Sequence, residues 1–314
     1  MRTRGLSGSI LIAAALAAAM ACEEDNSFAP GGAGGSFRIL WPSTATPVED
    51  AETFAIAVFP ITTANPVTFE ASVDGGADIS GLRNGTDSLV AFPLEGLTGG
   101  SHSITVRVSS GGVLTRTFNV SLAPRPSITE VTPDTAVLGA NQQITITGTG
   151  FVANSQQMRV YLNGVRLPIA ETPTTTELMA TVQGTELHSG LLSVATAVTA
   201  DERRVTRELV PFRIVGGTEP SPDQAEVLLA DPSSAPRNAP VVLYGRAFGA
   251  GDTPLFGSVN SSPIILLGSE NVGLGVGLVQ SGLTIVPSLA SRGDVFVSVE
   301  TAAGNDTGFP FFVR

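Results

Sequence analysis

Few residues in this chain are equipped for chemistry, and each stands apart from the partners it would need. The 314 residues include two histidines, His102 and His188, and one cysteine, Cys22. Ser101 and Ser103 flank His102 as a nucleophile would flank a base. Neighbours on a strand point to opposite faces, so neither serine can bond the ring directly, and His102 reads as a turn-edge histidine. His188 lies in a loop after Glu186, far in sequence from the cysteine. A histidine with no second soft ligand makes a poor zinc site. Asp74, Asp78, Asn84 and Asp87 offer the clustered oxygens that calcium prefers, without the D-x-D-x-D-G spacing, and turn chemistry is the simpler reading. Gly273-Leu-Gly275-Val-Gly277 invites a phosphate-loop reading, but it lacks the glycine beyond Gly277 that the fingerprint needs and the following helix, and reads as a loop or a glycine-relieved strand. Neither H-E-x-x-H nor G-x-S-x-G occurs. Paired carboxylates remain open, since 28 acids are present. The expectation is a non-enzymatic protein without cofactor or metal.

The elements around these residues read as strands. The chain is 42% hydrophobic and 14% charged, with 35 Gly and 21 Pro. That composition excludes a highly charged disordered chain. Short apolar runs broken by Gly, Pro, Asn and Asp favour an all-β class. Val67, Phe69, Ala71 and Val73 alternate and end at Asp74-Gly75-Gly76. Ser103 to Val108 alternates more cleanly and turns at Gly111-Gly112. All 17 basic residues are Arg, and the net charge is −11. A polyanion such as nucleic acid is therefore not an expected partner.

The stretch from Pro126 to Gly164 is the most informative. A proline-flanked strand at Ile128–Val131 should lie at a sheet edge. Gln143 to Thr147 alternates with period two, Gly148-Thr149-Gly150 should break it, and Phe151 should return to the core. Met158 to Leu162 ends at Asn163-Gly164, a strong hairpin signal. The motifs P-x-I-x-x-V-x-P, I-T-I-T-G-T-G-F and V-x-L-N-G resemble the opening half of an IPT/TIG domain. The resemblance implies an immunoglobulin-like β-sandwich. Val227-x-Leu229-x-Asp231-Pro232 and Pro240 to Phe248 repeat the pattern in weakened form, as a divergent second copy. Leu97 to Val108 is similar to the closing hairpin of bacterial immunoglobulin-like modules.

The N-terminus carries a different signal. Arg2 and Arg4 precede an apolar centre from Ser9 to Ala19, and Ala19-Met20-Ala21 supplies small cleavage-site residues. Cys22 follows directly, which resembles a bacterial lipobox and implies a lipid-bearing cysteine. Ordinary cleavage at the same bond, leaving a free thiol, is the alternative. Glu23 rather than Asp after the cysteine leans, by the same resemblance, toward the outer membrane.

Together these readings predict three tandem immunoglobulin-like sandwiches after a signal peptide and a flexible tether. The segments are a signal peptide at 1–21, a tether at 22–36, an Ig-like domain at 37–123, an IPT/TIG domain at 124–215, a linker at 216–224 and the divergent copy at 225–314. Ala123-Pro124-Arg125-Pro126 should be a stiff junction, giving beads in series. The charged run Asp201-Glu202-Arg203-Arg204 with Arg207-Glu208 should be a solvated hairpin tip, or a partner-binding knob. Expected partners are the membrane, through the lipid, and a protein or polysaccharide. A passive spacer in the cell envelope is the competing reading.

Overall fold

The structure is a computed structural model that describes residues 37–50, 52–59, 68–83, 88–109, 111–122, 124–185, 187–197, 203–249, 252–301, 304–305 and 308–314. Cys22, the tether, Asn84 and Asp87 lie outside the described residues. The described chain is all β, arranged as tandem immunoglobulin-like sandwiches.

The first sandwich holds β1 (Arg38–Trp41), β2 (Thr53–Val58), β3 (Phe69–Val73), β4 (Ile79–Ser80), β5 (Leu89–Leu94), β6 (Gly100–Val108) and β7 (Val113–Val120). Its sheets run β1-β2-β5 and β4-β3-β6-β7. The second holds β8 (Ser127–Thr132), β9 (Thr135–Val137), β10 (Gln142–Thr149), β11 (Met158–Leu162), β12 (Val165–Leu167), β13 (Glu177–Val182), β14 (Gly190–Ala197), β15 (Arg203–Val205) and β16 (Val210–Val215). Its sheets run β8-β10-β13 and β12-β11-β14-β16-β9, with β15 paired to β14. The third holds β17 (Glu226–Asp231), β18 (Ser234–Ala235), β19 (Pro240–Arg246), β20 (Pro254–Phe256), β21 (Val259–Asn260), β22 (Ile265–Asn271), β23 (Leu278–Ile285), β24 (Gly293–Thr301), β25 (Gly304–Asn305) and β26 (Phe309–Val313). Its sheets run β17-β19-β23-β22 and β21-β20-β24-β26-β18, with β25 on β24.

One plan recurs three times. The opening strand of each sandwich ends at a cis X–Pro bond: Trp41–Pro42, Thr132–Pro133 and Asp231–Pro232. Past the proline the chain crosses to the other sheet and runs parallel to the closing strand. Val48 bridges Val120, β9 pairs β16 and β18 pairs β26 in this way. As expected, β8 is an edge strand, where proline costs no ladder bond.

The repeated glycine–phenylalanine motif has a packing cause. A side chain at Gly148 would strike the Ser127 carbonyl and the Phe151 ring, and one at Gly245 would strike the Glu226 carbonyl and the Phe248 ring. In both places the opening strand shifts register, between Thr147 and Gly148 in the second sandwich and between Val227 and Leu229 in the third. Phe151 and Phe248 are buried beneath the shift. Gly148 therefore does not end its strand, as the sequence suggested; β10 continues to Thr149.

The second sandwich keeps its own core, with Ile144, Ile146, Leu178 and Phe212 buried between its sheets. The first and third share one continuous apolar cluster, which also takes in Tyr161, Leu191, Ala195 and Val205 from the second. Strand β14 explains the link. Leu192 and Val194 face the second core, while Leu191 and Ala195 face the third sandwich, so the strand is buried on both sides. β17 lies against β14, and β2 lies against β19. The sandwiches are therefore not beads in series, because the third folds back onto the first.

Candidate functional site

The three sandwiches meet at a charged hub. Asp50 and Glu52 come from the crossing segment and β2 approach of the first sandwich. Arg125 comes from the proline junction, Arg207 from the second sandwich, and Asp231 from the end of β17. Arg125 donates one amino group to Asp50 Oδ2 and the other to Asp231 Oδ1. Arg207 donates to Asp50 Oδ2 as well, to Glu52 Oε2 at 2.8 Å and to Asp231 Oδ2 at 3.2 Å. Each guanidinium thus spans the first and third sandwiches, and its planar fork suits such double bonding. Arg314, beyond β26, adds a bond to Glu49.

Chain geometry explains why Arg207 can reach. The chain after β14 divides into β15, which ends at Val205, and β16, which begins at Val210. Between them Thr206 accepts the Val194 N–H through its Oγ1 at 3.2 Å, and the residues after it leave the sheet line. Arg207 is carried outward onto Asp50 rather than into solvent. The charged run read as a solvated tip is corrected on this point; residues 198–202 lie outside the described residues. Burial alone would lower the Arg207 pKa, but Asp231, Asp50 and Glu52 raise it. At the proline junction Pro124 is exposed, while the half-buried Arg125 is drawn into the hub.

The hub residues line an interdomain cleft of about 490 Å³. That volume falls in the range of ligand pockets, which favour domain interfaces. Trp41 and Phe54 line it from the first sandwich, and Tyr244 from the third. Burial, then the nearby Asp231 carboxylate, pushes the Tyr244 hydroxyl up to about 12, so it stays neutral near pH 7. The Trp41 indole N–H is buried and has no acceptor among the described residues, and the same holds for Arg314 Nε.

A second polar cluster joins the second and third sandwiches. His188 Nε2 lies 2.9 Å from Glu226 Oε1, and Arg246 donates to the Ser189 carbonyl at 2.5 Å. Glu219, in the segment read as a linker, accepts the Ser189 N–H at 3.0 Å and lies 3.4 Å from Arg246. Burial would lower the His188 pKa, but the bond and charge of Glu226 outweigh it and the net shift is upward. Beside it Asn163 accepts the Leu191 N–H at 2.8 Å, and Asn163 and Gly164 both have positive φ, as the hairpin signal requires.

The remaining sequence candidates fall elsewhere. His102 bonds Asp74 at 2.7 Å and the Thr98 carbonyl at 2.9 Å, with neither ring nitrogen offered to a serine hydroxyl. The Asp74 bond raises the His102 pKa and lowers that of Asp74. Asp78 pairs with Arg107 at 2.8 Å, while Asp74 accepts the Ser103 N–H at 2.7 Å. The Gly273–Gly277 run is the turn between β22 and β23, with positive φ at all three glycines. No group of three or more metal-ligating side chains gathers among the described residues.

Sequence reasoning missed the hub. Its members are scattered from Asp50 to Asp231, and each alone reads as a turn or tip residue. The available signal was double-sided burial: L-L-S-V-A-T-A in β14 and V-L-L-A in β17 lack the polar face of a half-solvated strand.

Residues 126–203 match the IPT/TIG domain. This match begins at the proline from which the motif was read. No curated protein matches the chain in sequence. Among solved structures, the chain is similar to the plexin A4 extracellular region, at 10% identity and a TM-score of 0.25, over 87% of this chain and 33% of that one. It thus spans about a third of that protein's length. It is also similar to Bacteroides ovatus SGBP-B of a mixed-linkage glucan utilization locus, in complex with a mixed-linkage heptasaccharide, at 14% identity and a TM-score of 0.26, over 88% and 70% of the two chains. The Escherichia coli adhesin FdeC is similar at 16% identity and a TM-score of 0.20, over 88% and 96%. At these values nothing about ligands passes from those proteins to this chain.

Proposed function

We propose that this chain is a non-enzymatic interaction protein of the cell envelope, anchored through a lipidated Cys22, and that it receives its ligand in the cleft between the first and third sandwiches. One observation carries the reading: the first and third sandwiches, distant in sequence, are clamped around a ligand-sized cleft by Arg125 and Arg207. The IPT/TIG match supports an interaction module, and the lipobox-like leader supports the anchor. Glu23 after the cysteine favours the outer membrane. The division at 37–123, 124–215 and 225–314 belongs to the same reading. A passive spacer fits less well, since a spacer gains reach from domains in series and this chain folds back on itself.

Palmitate labelling of the wild type against Cys22→Ala tests the anchor; equal labelling of both would remove it. Capture of envelope components by the wild type, lost in Tyr244→Ala and kept in Val113→Ala, tests the cleft. Equal capture by both variants would place the ligand elsewhere.

A further inference from the structure

We infer that the cleft between the first and third sandwiches takes a neutral oligosaccharide, a short stretch of an uncharged polysaccharide. The inference rests on the reading of that cleft as the ligand site and names the chemistry it would admit.

The first ground is charge. Four of the five acids that line the cleft are already committed: Asp50 and Asp231 to both Arg125 and Arg207, Glu52 to Arg207, and Glu49 to Arg314, while the fifth, Glu95, is exposed to solvent. A charged ligand bound at the hub would have to displace a partner of Asp50 or Asp231, and leaving such a buried charge unpaired is strongly unfavourable. A hydroxyl displaces nothing. An ionised carboxylate has about four lone-pair sites, more than the arginines use, and can accept from a sugar O–H as well. The second ground is aromatic surface. Phe54 and Tyr244 line the cleft and are half-buried. Trp41, the one tryptophan of the sequence, lies buried in the cleft wall. Rings of this kind pack the apolar C–H faces of a sugar while the paired polar side chains address its hydroxyls.

The single tryptophan makes the test local, because tryptophan emission reports on Trp41 alone. Native-gel affinity electrophoresis of the full chain is run in laminarin, xyloglucan, galactomannan and soluble starch, with polygalacturonate as the anionic comparison. Hexasaccharides of the retarding polymer are then titrated against Trp41 emission. The expected result is retardation by a neutral polymer, a saturable change in emission, and binding weakened at least about tenfold in Tyr244→Ala. Tyr244→Phe, which keeps the ring and its packing, should bind severalfold more weakly than wild type with an unchanged melting temperature. Val113→Ala, on an exposed strand end outside the cleft, should bind as wild type. Retardation by polygalacturonate alone overturns the inference, as does neutral binding that leaves Trp41 emission and the Tyr244 variants unaffected. Failure of all five polymers also overturns it. In that case the cleft still stands as a ligand site if Tyr244→Ala loses an envelope protein that the wild type captures, and falls if it does not.

Discussion

The middle sandwich buries Phe212, Ile146 and Leu178 in a core of its own, whereas the first and third sandwiches share one apolar cluster and meet over a charged hub. The middle core is complete within one sandwich, although β14 also buries Leu191 and Ala195 against the third. Between the first and third, the apolar contact sets how closely the sandwiches approach, and the arginines set their register, since a fork that must reach both Asp50 and Asp231 tolerates little sliding. The unit most recognisable in sequence thus has a core of its own, and the candidate site lies where the family pattern is weakest. Recurring motifs such as G-x-x-F keep a sandwich intact. The residues that make a site are those with no role inside any one sandwich.

The largest expected effect separates the two regions. Phe212→Ala, at a fully buried site in the middle core, should cost about 3–5 kcal/mol in chemical denaturation. A much smaller loss would mean that the middle sandwich lacks the core described. Asp231→Ala should cost nearly as much, about 3 kcal/mol, because it leaves Arg125 and Arg207 partly unpaired at a buried junction. Its signature should differ, with the third sandwich loosening from the first while the middle one melts as before. A single unchanged transition in Asp231→Ala would argue that the hub is decorative.

Gly164→Ala sharpens the contact between the second and third sandwiches. Gly164 has φ +78°, and a side chain there would lie 2.9 Å from the Gly308 carbonyl oxygen. The expected cost is about 1–2 kcal/mol from backbone strain, with the crowding added. An unchanged melting temperature would show that the hairpin does not press on β26.

The smallest effect concerns pH. The His188 pKa is raised in the folded chain, so the protonated form is the one that stabilises. Its contribution is complete below the unfolded value near 6.5 and is lost as pH rises through the higher folded value. Groups facing it are Glu226, Glu219 and Arg246. Stability should fall by less than about 1 kcal/mol from pH 6.5 upward, and His188→Gln should flatten most of that slope. His102 contributes with the same sign through Asp74, so the residual slope should vanish only when Asp74→Asn is added. A slope unchanged in His188→Gln would remove His188 from the contact.

Much of the fold was legible because strand, turn and core are local properties. Gln143–Thr147 and Met158–Leu162 follow from alternation, and the turns at Asp74-Gly75 and Asn163-Gly164 follow from residues that tolerate positive φ. The site was not legible, because it depends on which sandwich faces do without water. Arg207 and Glu208 are indistinguishable in sequence as parts of a charged run. In the fold Arg207 enters the hub, while Glu208 bonds the Ser127 hydroxyl at the exposed edge. Arg125 sits between two prolines and reads as linker, yet its side chain is among the more buried charges of the hub. The order of sandwiches along the chain suggested a row, and only the double-sided burial of β14 and β17 argued otherwise.

Small-angle scattering from residues 37–314 tests the central claim most directly, that the third sandwich folds back onto the first. The folded-back chain should have a radius of gyration of about 19 Å, the scaling for a compact chain of this length, and a single-peaked distance distribution. A markedly larger radius with the long-tailed distribution of domains in a row would contradict the hub, the cleft and the functional reading built on them.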